Sequence, residues 1–241
     1  MARFEGSPNA RKPLGQKAYG HIPHLPGSRV GPMDKRCEAG QARIVCERAR
    51  DRHDCIVVHE KLDGSNVAVA KLESQIVPLV RSGYVANTSP FEQHQVFHQW
   101  VFEQHARFDA LLGEGERCCG EWLMQAHGTR YALPHEPFVV FDLMRGFVRT
   151  VSAEVERRCR AQGFTTPRLL HTGPPLSVGR VLEMIETSGH GALDPTEGAV
   201  WRLEREGAVE FLAKFVRPEK RDGLYLPEVS GQPAVWNWRP K

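Results

Sequence analysis

One lysine in this sequence lies in a setting that suits nucleophilic chemistry. The stretch His59-Glu60-Lys61-Leu62-Asp63-Gly64-Ser65-Asn66 places Lys61 between two acidic residues. Apolar runs flank it at 55–58 and 67–70, so we predict two strands joined as a hairpin through an Asp63-Gly64 turn. A lysine amine becomes a nucleophile once burial or a nearby cation lowers its pKa. An exposed turn with ordinary surface charges is the alternative, and Lys-x-Asp-Gly alone does not exclude it.

Three further charged residues stand inside apolar segments. Glu121 lies between Gly120 and Trp122, Glu197 precedes Gly198-Ala199-Val200, and Lys214 lies just before Phe215. Charged side chains are rarely buried unless they are paired or functional. One such charge usually marks the solvent face of a strand. Four of them in apolar segments, Lys61 included, indicate a shared site.

Strands and helices must position these charges. We predict strands at about 54–60, 66–72, 75–81, 117–124, 138–143, 197–202 and 209–215, and helices at about 90–112, 152–162 and 178–187. Ser89 and Glu92 are expected to form a capping box on the first helix. The order of elements predicts one α+β domain over 1–241, with mostly antiparallel sheets and flanking helices.

The N-terminal segment differs in composition. Residues 1–35 are rich in Pro and Gly, which predicts an irregular arm that packs on the surface. His21, His24 and Arg29 are within reach of a site, although packing is the expected role of the arm.

Composition limits the class of protein. The chain has 241 residues, 41% of them hydrophobic, enough for a substantial core. No window approaches about eighteen apolar residues and residues 1–6 hold no signal-peptide core, so we predict a cytoplasmic protein without a membrane partner. The net charge of +3 permits a polyanionic partner but does not demand one. The six cysteines include no Cys-x-x-Cys pair, and a zinc site from His53, Cys55 and His59 is disfavoured because structural zinc prefers four ligands at closer pair spacing.

Taken in order, the motifs resemble the covalent nucleotidyltransferase superfamily of polynucleotide ligases and mRNA-capping enzymes. The resemblance covers about 54–217 and rests on segments similar to five of its motifs: Lys61-Leu62-Asp63-Gly64, Gly120-Glu121-Trp122-Leu123, Phe138-Val139-Val140-Phe141-Asp142, Glu197-Gly198-Ala199-Val200 and Lys214. Asn66, where DNA ligases and capping enzymes usually carry Arg, and Arg81-Ser82-Gly83 resemble the RNA ligase 2-like branch.

The resemblance implies a reaction. Lys61 would attack the α-phosphate of ATP to form lysyl-AMP, a covalent intermediate that divides one hard step into easier ones. Glu197 would hold Mg²⁺ (or Mn²⁺), which prefers oxygen ligands, and Lys214 would contact the α-phosphate. The metal and Lys214 would help to lower the pKa of Lys61.

It also implies how AMP is held. Glu121 would bind the ribose, and Phe141 would stack on adenine. Phe138 is the other stacking candidate, but opposite strand parity lets only one of the two phenylalanines face the pocket. Asp63 would orient Lys61 or a metal-bound water. Glu60 would help to bind the nucleotide, while Asn66 and Arg81 would touch the AMP phosphate or a 5′-phosphate end.

The implied partners are RNA ends, a 5′-phosphate and a 3′-hydroxyl on a nicked duplex or single strands, bound by a monomer. Two features depart from the family pattern. Val216 replaces the second lysine of the last motif, with Arg217, Lys220, Arg221 or Arg29 as substitutes, although strand parity points Arg217 to the other face. No separate C-terminal domain is expected, so the arm is expected to take over part of the grip on nucleic acid.

Three alternatives remain. A DNA ligase is disfavoured by Asn66, and GTP-dependent capping by the expected lack of an oligonucleotide-binding domain. A degenerate, non-catalytic domain that only binds RNA ends would be expected to have lost Lys61 or Glu197, and both are present.

Overall fold

The computed structural model describes residues 12–240, and nine strands and six α-helices lie within them. The part of the predicted arm at 1–11 lies outside the described residues. The strands are β1 Asp54–Lys61, β2 Ser65–Leu72, β3 Gln75–Val80, β4 Glu116–Trp122, β5 Phe138–Arg145, β6 Val148–Arg149, β7 Leu169–Gly173, β8 Gly198–Arg205 and β9 Ala208–Val216. The helices are α1 Ala39–Cys46, α2 Glu92–Glu103, α3 His105–Leu111, α4 Ser152–Ala161, α5 Val178–Met184 and α6 Pro227–Ser230.

The strands form two antiparallel sheets, which confirms the predicted α+β class. One sheet has the order β7-β1-β8-β9, and the other has the order β3-β2-β4-β5-β6. The predicted β8–β9 hairpin is present and turns at Glu206 and Gly207, both with positive φ, as a two-residue hairpin turn requires. No helix among residues 12–240 is long and apolar enough to span a bilayer.

The hairpin predicted around Asp63-Gly64 is wrong. β1 pairs with β7 and β8, whereas β2 pairs with β3 and β4 in the other sheet. Gly64 passes so close to the neighbouring strand that a Cβ there would lie 2.6 Å from the Trp122 carbonyl oxygen. The chain therefore crosses from one sheet to the other directly after Lys61, and the motif lies where the two sheets meet.

The predicted capping box is also wrong. The first long helix begins at Glu92, its N-cap residue is Phe91, and no side chain caps it. Ser89 Oγ instead lies 2.6 Å from His94 Nδ1 and accepts a long hydrogen bond, 3.4 Å, from the backbone of Phe91. The helix predicted at 90–112 is broken at Gln104 into α2 and α3.

Each sheet has its own apolar core. The five-stranded sheet packs on α2, α3 and α4 through an aromatic cluster whose rings include Phe97, Trp100, Phe108, Trp122 and Phe138. The four-stranded sheet packs on α1 and α5 through aliphatic side chains and the fully buried Trp201. A third, smaller apolar cluster packs Ala18 and Tyr19 of the N-terminal arm against the five-stranded sheet.

A buried ion-pair network joins the two sheets. Asp142 on β5 is fully buried and accepts hydrogen bonds from Arg202 on β8 at 2.5 Å, from Arg149 at 3.1 Å and from the Tyr19 hydroxyl at 2.7 Å. The Arg202 guanidinium also donates to the carbonyl oxygen of Thr150. One carboxylate therefore ties together both sheets and the N-terminal arm.

Replacing Asp142 by alanine is expected to destabilise the protein by about 3–5 kcal/mol, because it leaves a buried guanidinium without a carboxylate. The free energy of unfolding from urea titration measures this effect. Arg157→Ala is the matched control, because it breaks an exposed pair with Glu154 on α4 and should change stability little. Equal stability of the Asp142→Ala variant and the control would contradict a structural role for the network.

Candidate active site

A cavity of about 1560 Å³ opens at the junction of the two sheets. Every residue predicted to act in the site lines this cavity: Glu60, Lys61, Asp63, Asn66, Arg81, Glu121, Phe141, Glu197 and Lys214. The four charges that stood apart in the sequence are thus brought to one place. The chemical roles of these four charged residues remain predictions.

The strand register of the four-stranded sheet brings its three charges together. Lys61 at the end of β1 pairs with Gly198 at the start of β8, so Glu197 lies directly beside it. Lys214 lies on the adjacent strand β9, opposite Val200. Gly198 has to be glycine, because a Cβ at this position would collide with the Phe215 carbonyl oxygen. The Glu-Gly pair therefore permits the close β8–β9 approach that places Glu197 at the cavity.

Lys61 is held by an ion pair. Its Nζ lies 2.6 Å from Glu197 Oε2 and also donates to the Leu62 carbonyl oxygen. Burial disfavours the charged form of Lys61, but the carboxylates of Glu197 and Glu121 outweigh it and raise the pKa of Lys61 above its ordinary value. Burial raises the pKa of Glu197. The ion pair with Glu197 therefore favours the ammonium form of Lys61, and the lowering of its pKa that the resemblance implies would need the metal as well as Lys214.

Asp63 is held from two sides. Its Oδ2 accepts a hydrogen bond from the Gly128 backbone at 2.9 Å and lies 2.9 Å from Lys220 Nζ. Lys220 is buried and also donates to Thr129 Oγ1. Lys220 is one of the cations proposed to replace the missing second lysine of the last motif, and it contacts the Lys-x-Asp-Gly motif directly. Arg217 does not line the cavity and lies beside Glu219 instead.

Glu121 and Asn66 lie opposite each other on adjacent strands of the five-stranded sheet. They are paired positions on β4 and β2, and Glu121 Oε1 accepts a hydrogen bond from the Gly64 backbone at 3.1 Å. Burial raises the pKa of Glu121 to about 7. Asn66 Oδ1 is buried and finds no hydrogen-bond partner among residues 12–240. An orphaned buried acceptor facing a cavity is a feature that a bound ligand would satisfy.

The two phenylalanines on β5 lie on opposite faces of the sheet. Phe138 is buried in the aromatic core, whereas Phe141 lines the cavity and packs edge-on against Tyr19, with ring centroids 5.0 Å apart. Phe141 is therefore the one available for stacking. Glu60 is directed elsewhere, since its carboxylate is buried and accepts hydrogen bonds from Ser188 Oγ and from the Gly189 backbone at 2.8 Å.

No sequence pattern predicted that His94 would line the cavity. His94 bridges Ser65 and Ser89, at 2.6 Å from each hydroxyl. His21, His24 and Arg29 were predicted to lie within reach of a site, although surface packing was the expected role of the arm, and all three line the cavity. The only sequence signal for the arm was its run of histidines and basic residues among prolines, which does not reveal where an irregular segment folds back.

The donor set fits a magnesium-type ion. No group of three His, Cys, Asp or Glu side chains that could hold a metal is found in the described part of the chain. Mg²⁺ usually binds one or two carboxylates and completes its shell with waters and substrate phosphates, so it needs no such cage. Glu197, with Asp63 and Glu121 close enough to influence its charge, supplies hard oxygen donors beside Lys61.

Comparison with known families agrees with this arrangement. A family model described as RNA ligase matches residues 54–216. The chain belongs to the RNA ligase family. The matched range begins at β1 and ends at β9, and so includes the elements that carry Lys61, Glu121, Glu197 and Lys214. No curated protein matches the chain.

Solved structures share the fold. A Naegleria gruberi RNA ligase with PPi is 13% identical with a TM-score of 0.51, over 87% of this chain and 62% of that one. The E312A mutant of the Naegleria enzyme with AMP and Mn is 14% identical with a TM-score of 0.50, over 80% and 59%. An archaeal ATP-dependent RNA ligase is 23% identical with a TM-score of 0.46, over 68% and 42%. The RNA ligase family member described here therefore spans less than half the length of the archaeal protein.

Proposed function

We propose that this protein is an ATP-dependent RNA ligase that joins a 3′-hydroxyl to a 5′-phosphate through lysyl-AMP and adenylylated-RNA intermediates. The observation that carries the proposal is the Lys61–Glu197 ion pair at 2.6 Å, in a cavity lined by every residue of the predicted site. Family membership over 54–216 supports it.

The first step takes place at Lys61 Nζ. The neutral amine attacks the α-phosphorus of ATP, an N–P bond forms, and the P–O bond to pyrophosphate breaks. The amine must first lose its proton and leave the Glu197 carboxylate. A divalent ion held by Glu197 would supply positive charge against the phosphates during this displacement. Lys214, which is half-buried and faces the same cavity, would contact the α-phosphate.

Other residues would hold the nucleotide. Glu121 would accept a hydrogen bond from the ribose, and Phe141 would stack on adenine. Asn66 and Arg81 would contact the AMP phosphate or the 5′-phosphate of the strand. Asp63, braced by Lys220 and the Gly128 backbone, would fix the segment directly after Lys61. We assign Glu60 a supporting role as well, because its carboxylate ties the end of β1 to Ser188.

The following two steps involve RNA. AMP passes from Lys61 to the 5′-phosphate, and the 3′-hydroxyl then displaces AMP to form the phosphodiester. We propose RNA repair in the cytoplasm as the setting, with the protein acting as a monomer and residues 1–241 as one nucleotidyltransferase domain of the RNA ligase 2-like branch. Activity as a DNA ligase of the same superfamily is the competing function. The two functions differ in whether ribose or deoxyribose at the nick is joined faster.

A nick with a terminal 3′ ribonucleotide and a pre-adenylylated 5′ end is expected to be joined at least about fivefold faster than the all-DNA nick. A site built around a 2′-hydroxyl leaves polar groups unpaired when that hydroxyl is missing, and the loss of about 1–3 kcal/mol corresponds to this factor or more. Single-turnover sealing rates measure the difference. The pre-adenylylated end bypasses lysyl-AMP formation, so only strand joining is compared.

Changing the sugar of the 5′ strand instead of the 3′ strand is the matched control. It should have a smaller effect, because the attacking atom belongs to the 3′ nucleotide. Equal or faster joining of the all-DNA nick would favour a DNA ligase. No joining of either nick, with lysine labelling intact, would contradict the proposal that this chain seals RNA without a partner.

A further inference from the structure

The N-terminal arm places basic side chains at the rim of the cavity. Lys17 and His21 lie on the arm and Arg81 lies just after β3, and all three line the cavity together with Lys214. We call Lys17, His21 and Arg81 the basic rim. Nothing in the RNA ligase motifs accounts for the two residues from the arm.

Backbone hydrogen bonds hold the arm in this position. The Arg81 carbonyl oxygen accepts from the Ala18 and Tyr19 backbones at 3.1 and 3.4 Å, and the Arg81 guanidinium donates to the Gly20 carbonyl oxygen at 3.2 Å. Further along, the Lys214 backbone donates to the Pro23 carbonyl oxygen at 2.9 Å. The arm is therefore docked on both sheets, and Lys17 and His21 project from a fixed segment.

The charge of the basic rim is not neutralised by the protein. Within residues 12–240, no carboxylate lies within 4.0 Å of Lys17, His21 or Arg81, whereas the lining residues Arg29 and Arg202 are each paired with an aspartate. Burial, followed by the positive charges of Arg81 and Lys17, lowers the pKa of His21, although Asp34 acts in the opposite direction. Two cations without a directly paired carboxylate, Lys17 and Arg81, attract anions at a cavity mouth.

The site needs such an anion-binding element. The second lysine of the last motif is replaced by Val216, an apolar residue that lines the cavity. Lys61 and Lys214 are assigned to the α-phosphate by the proposed function, and Lys220 is already bound to Asp63. A further phosphate would therefore be bound by other cations that line the cavity, and Lys17 and Arg81 of the basic rim are two of these.

We propose that the basic rim is a phosphate-binding site that the N-terminal arm adds to the catalytic cavity. The inference rests on the proposed function, since the phosphate belongs either to the tail of ATP beyond the α-phosphate or to the 5′ end of the RNA strand. Lys17 supplies charge, His21 supplies a hydrogen-bond donor, and Arg81 supplies the planar fork that suits phosphate oxygens.

Binding of inorganic pyrophosphate to the full chain, measured by calorimetry without ATP, tests the site. The Lys17→Ala/His21→Ala variant should bind pyrophosphate at least about fivefold more weakly, because it loses a charge-assisted and a neutral hydrogen bond. Lys35→Ala is the matched control, since Lys35 is an exposed lysine of the same arm that does not line the cavity. Circular dichroism and thermal melting show that each variant is folded.

Pyrophosphate affinity within about twofold of wild type in the rim variant, or an equal loss in Lys35→Ala, would overturn the site. This readout needs no catalysis. A protein that binds pyrophosphate through the rim but forms no lysyl-AMP would count against the proposed function and still support the rim.

Two kinetic measurements identify the source of the phosphate. If the rim holds the ATP tail, the rim variant raises the KM for ATP in lysyl-AMP formation and transfers AMP from preloaded protein to 5′-phosphorylated RNA at the wild-type rate. If the rim holds the strand end, AMP transfer slows and the KM for ATP is unchanged. An active rim variant with neither defect would overturn a role for the rim in the reaction.

Discussion

Replacing Lys61 by alanine is expected to abolish the protein–AMP adduct formed with α-phosphate-labelled ATP. The loss should reach the detection limit, at least about a thousandfold, because the proposed first step takes its attacking nitrogen from Lys61. Lys61 lies where β1 meets the cavity and is held 2.6 Å from Glu197. The measurement is acid-labile label on the protein after denaturation, since a phosphoramidate hydrolyses in acid.

Lys61→Arg should fail as completely, because a guanidinium stays protonated and has no free lone pair for attack. Lys71→Ala is the matched control, since Lys71 lies on β2 and pairs with Asp109 away from the cavity. Its labelling should equal that of the wild type. Undiminished labelling of Lys61→Ala would contradict the assignment of Lys61 as the nucleophile and, with it, the proposed first step.

Replacing Glu197 by glutamine or alanine is expected to slow adenylylation by about two to three orders of magnitude. A metal-borne charge contributes several kcal/mol to phosphoryl transfer, and each 1.4 kcal/mol corresponds to about a factor of ten. Glu197 is buried and precedes Gly198, the strand partner of Lys61. Single-turnover labelling across a Mg²⁺ titration measures the rate and the metal dependence together.

The glutamine variant separates two roles of Glu197. It keeps the size of the side chain but removes the charge, so a carboxylate that merely restrained Lys61 would become dispensable and the rate would hold or rise. A metal ligand would instead show a lower rate and a weaker response to Mg²⁺. Glu210→Gln on β9, which removes a surface partner of Arg50, is the control and should leave labelling unchanged. Wild-type behaviour of both Glu197 variants would disprove the metal assignment.

The ion pair with Glu197 sets a requirement for the proposed first step. The carboxylate 2.6 Å from Lys61 Nζ raises the pKa of Lys61 and favours its ammonium form. Attack by a neutral amine would therefore require that Glu197 be drawn away from Lys61, as a divalent cation bound by Glu197 would do.

The sequence by itself determined most of the strands and the family. Apolar runs located the strands that carry Lys61, Glu121 and Lys214, because a buried strand presents apolar side chains on both of its faces. The order of the charged motifs identified the nucleotidyltransferase fold, which the RNA ligase match confirms. The parity argument also separated Phe141 from Phe138, since residues an odd number of positions apart face opposite sides of a strand.

Two local sequence patterns predicted the wrong structure, because the same residues also suit a different arrangement. Asp63-Gly64 has the composition of a hairpin turn, but the same small, flexible pair also lets a chain cross between sheets under the Trp122 carbonyl. Ser89 has the spacing of a helix cap, but its hydroxyl bonds to His94 instead. In both places a long-range partner, which no local pattern contains, decided the outcome.

Only the tertiary structure decided how the site is completed. Strand order placed Glu197 beside Lys61 and Asn66 opposite Glu121, because pairing between distant segments depends on burial of whole faces rather than on adjacent residues. The irregular arm has no periodicity from which its path could be inferred, yet its backbone hydrogen bonds to Arg81 carry Lys17 and His21 to the cavity. The spacing of apolar residues predicts a strand, because it reflects which side chains the strand buries. It does not predict where an irregular segment docks, because docking depends on backbone hydrogen bonds that any residue type can make.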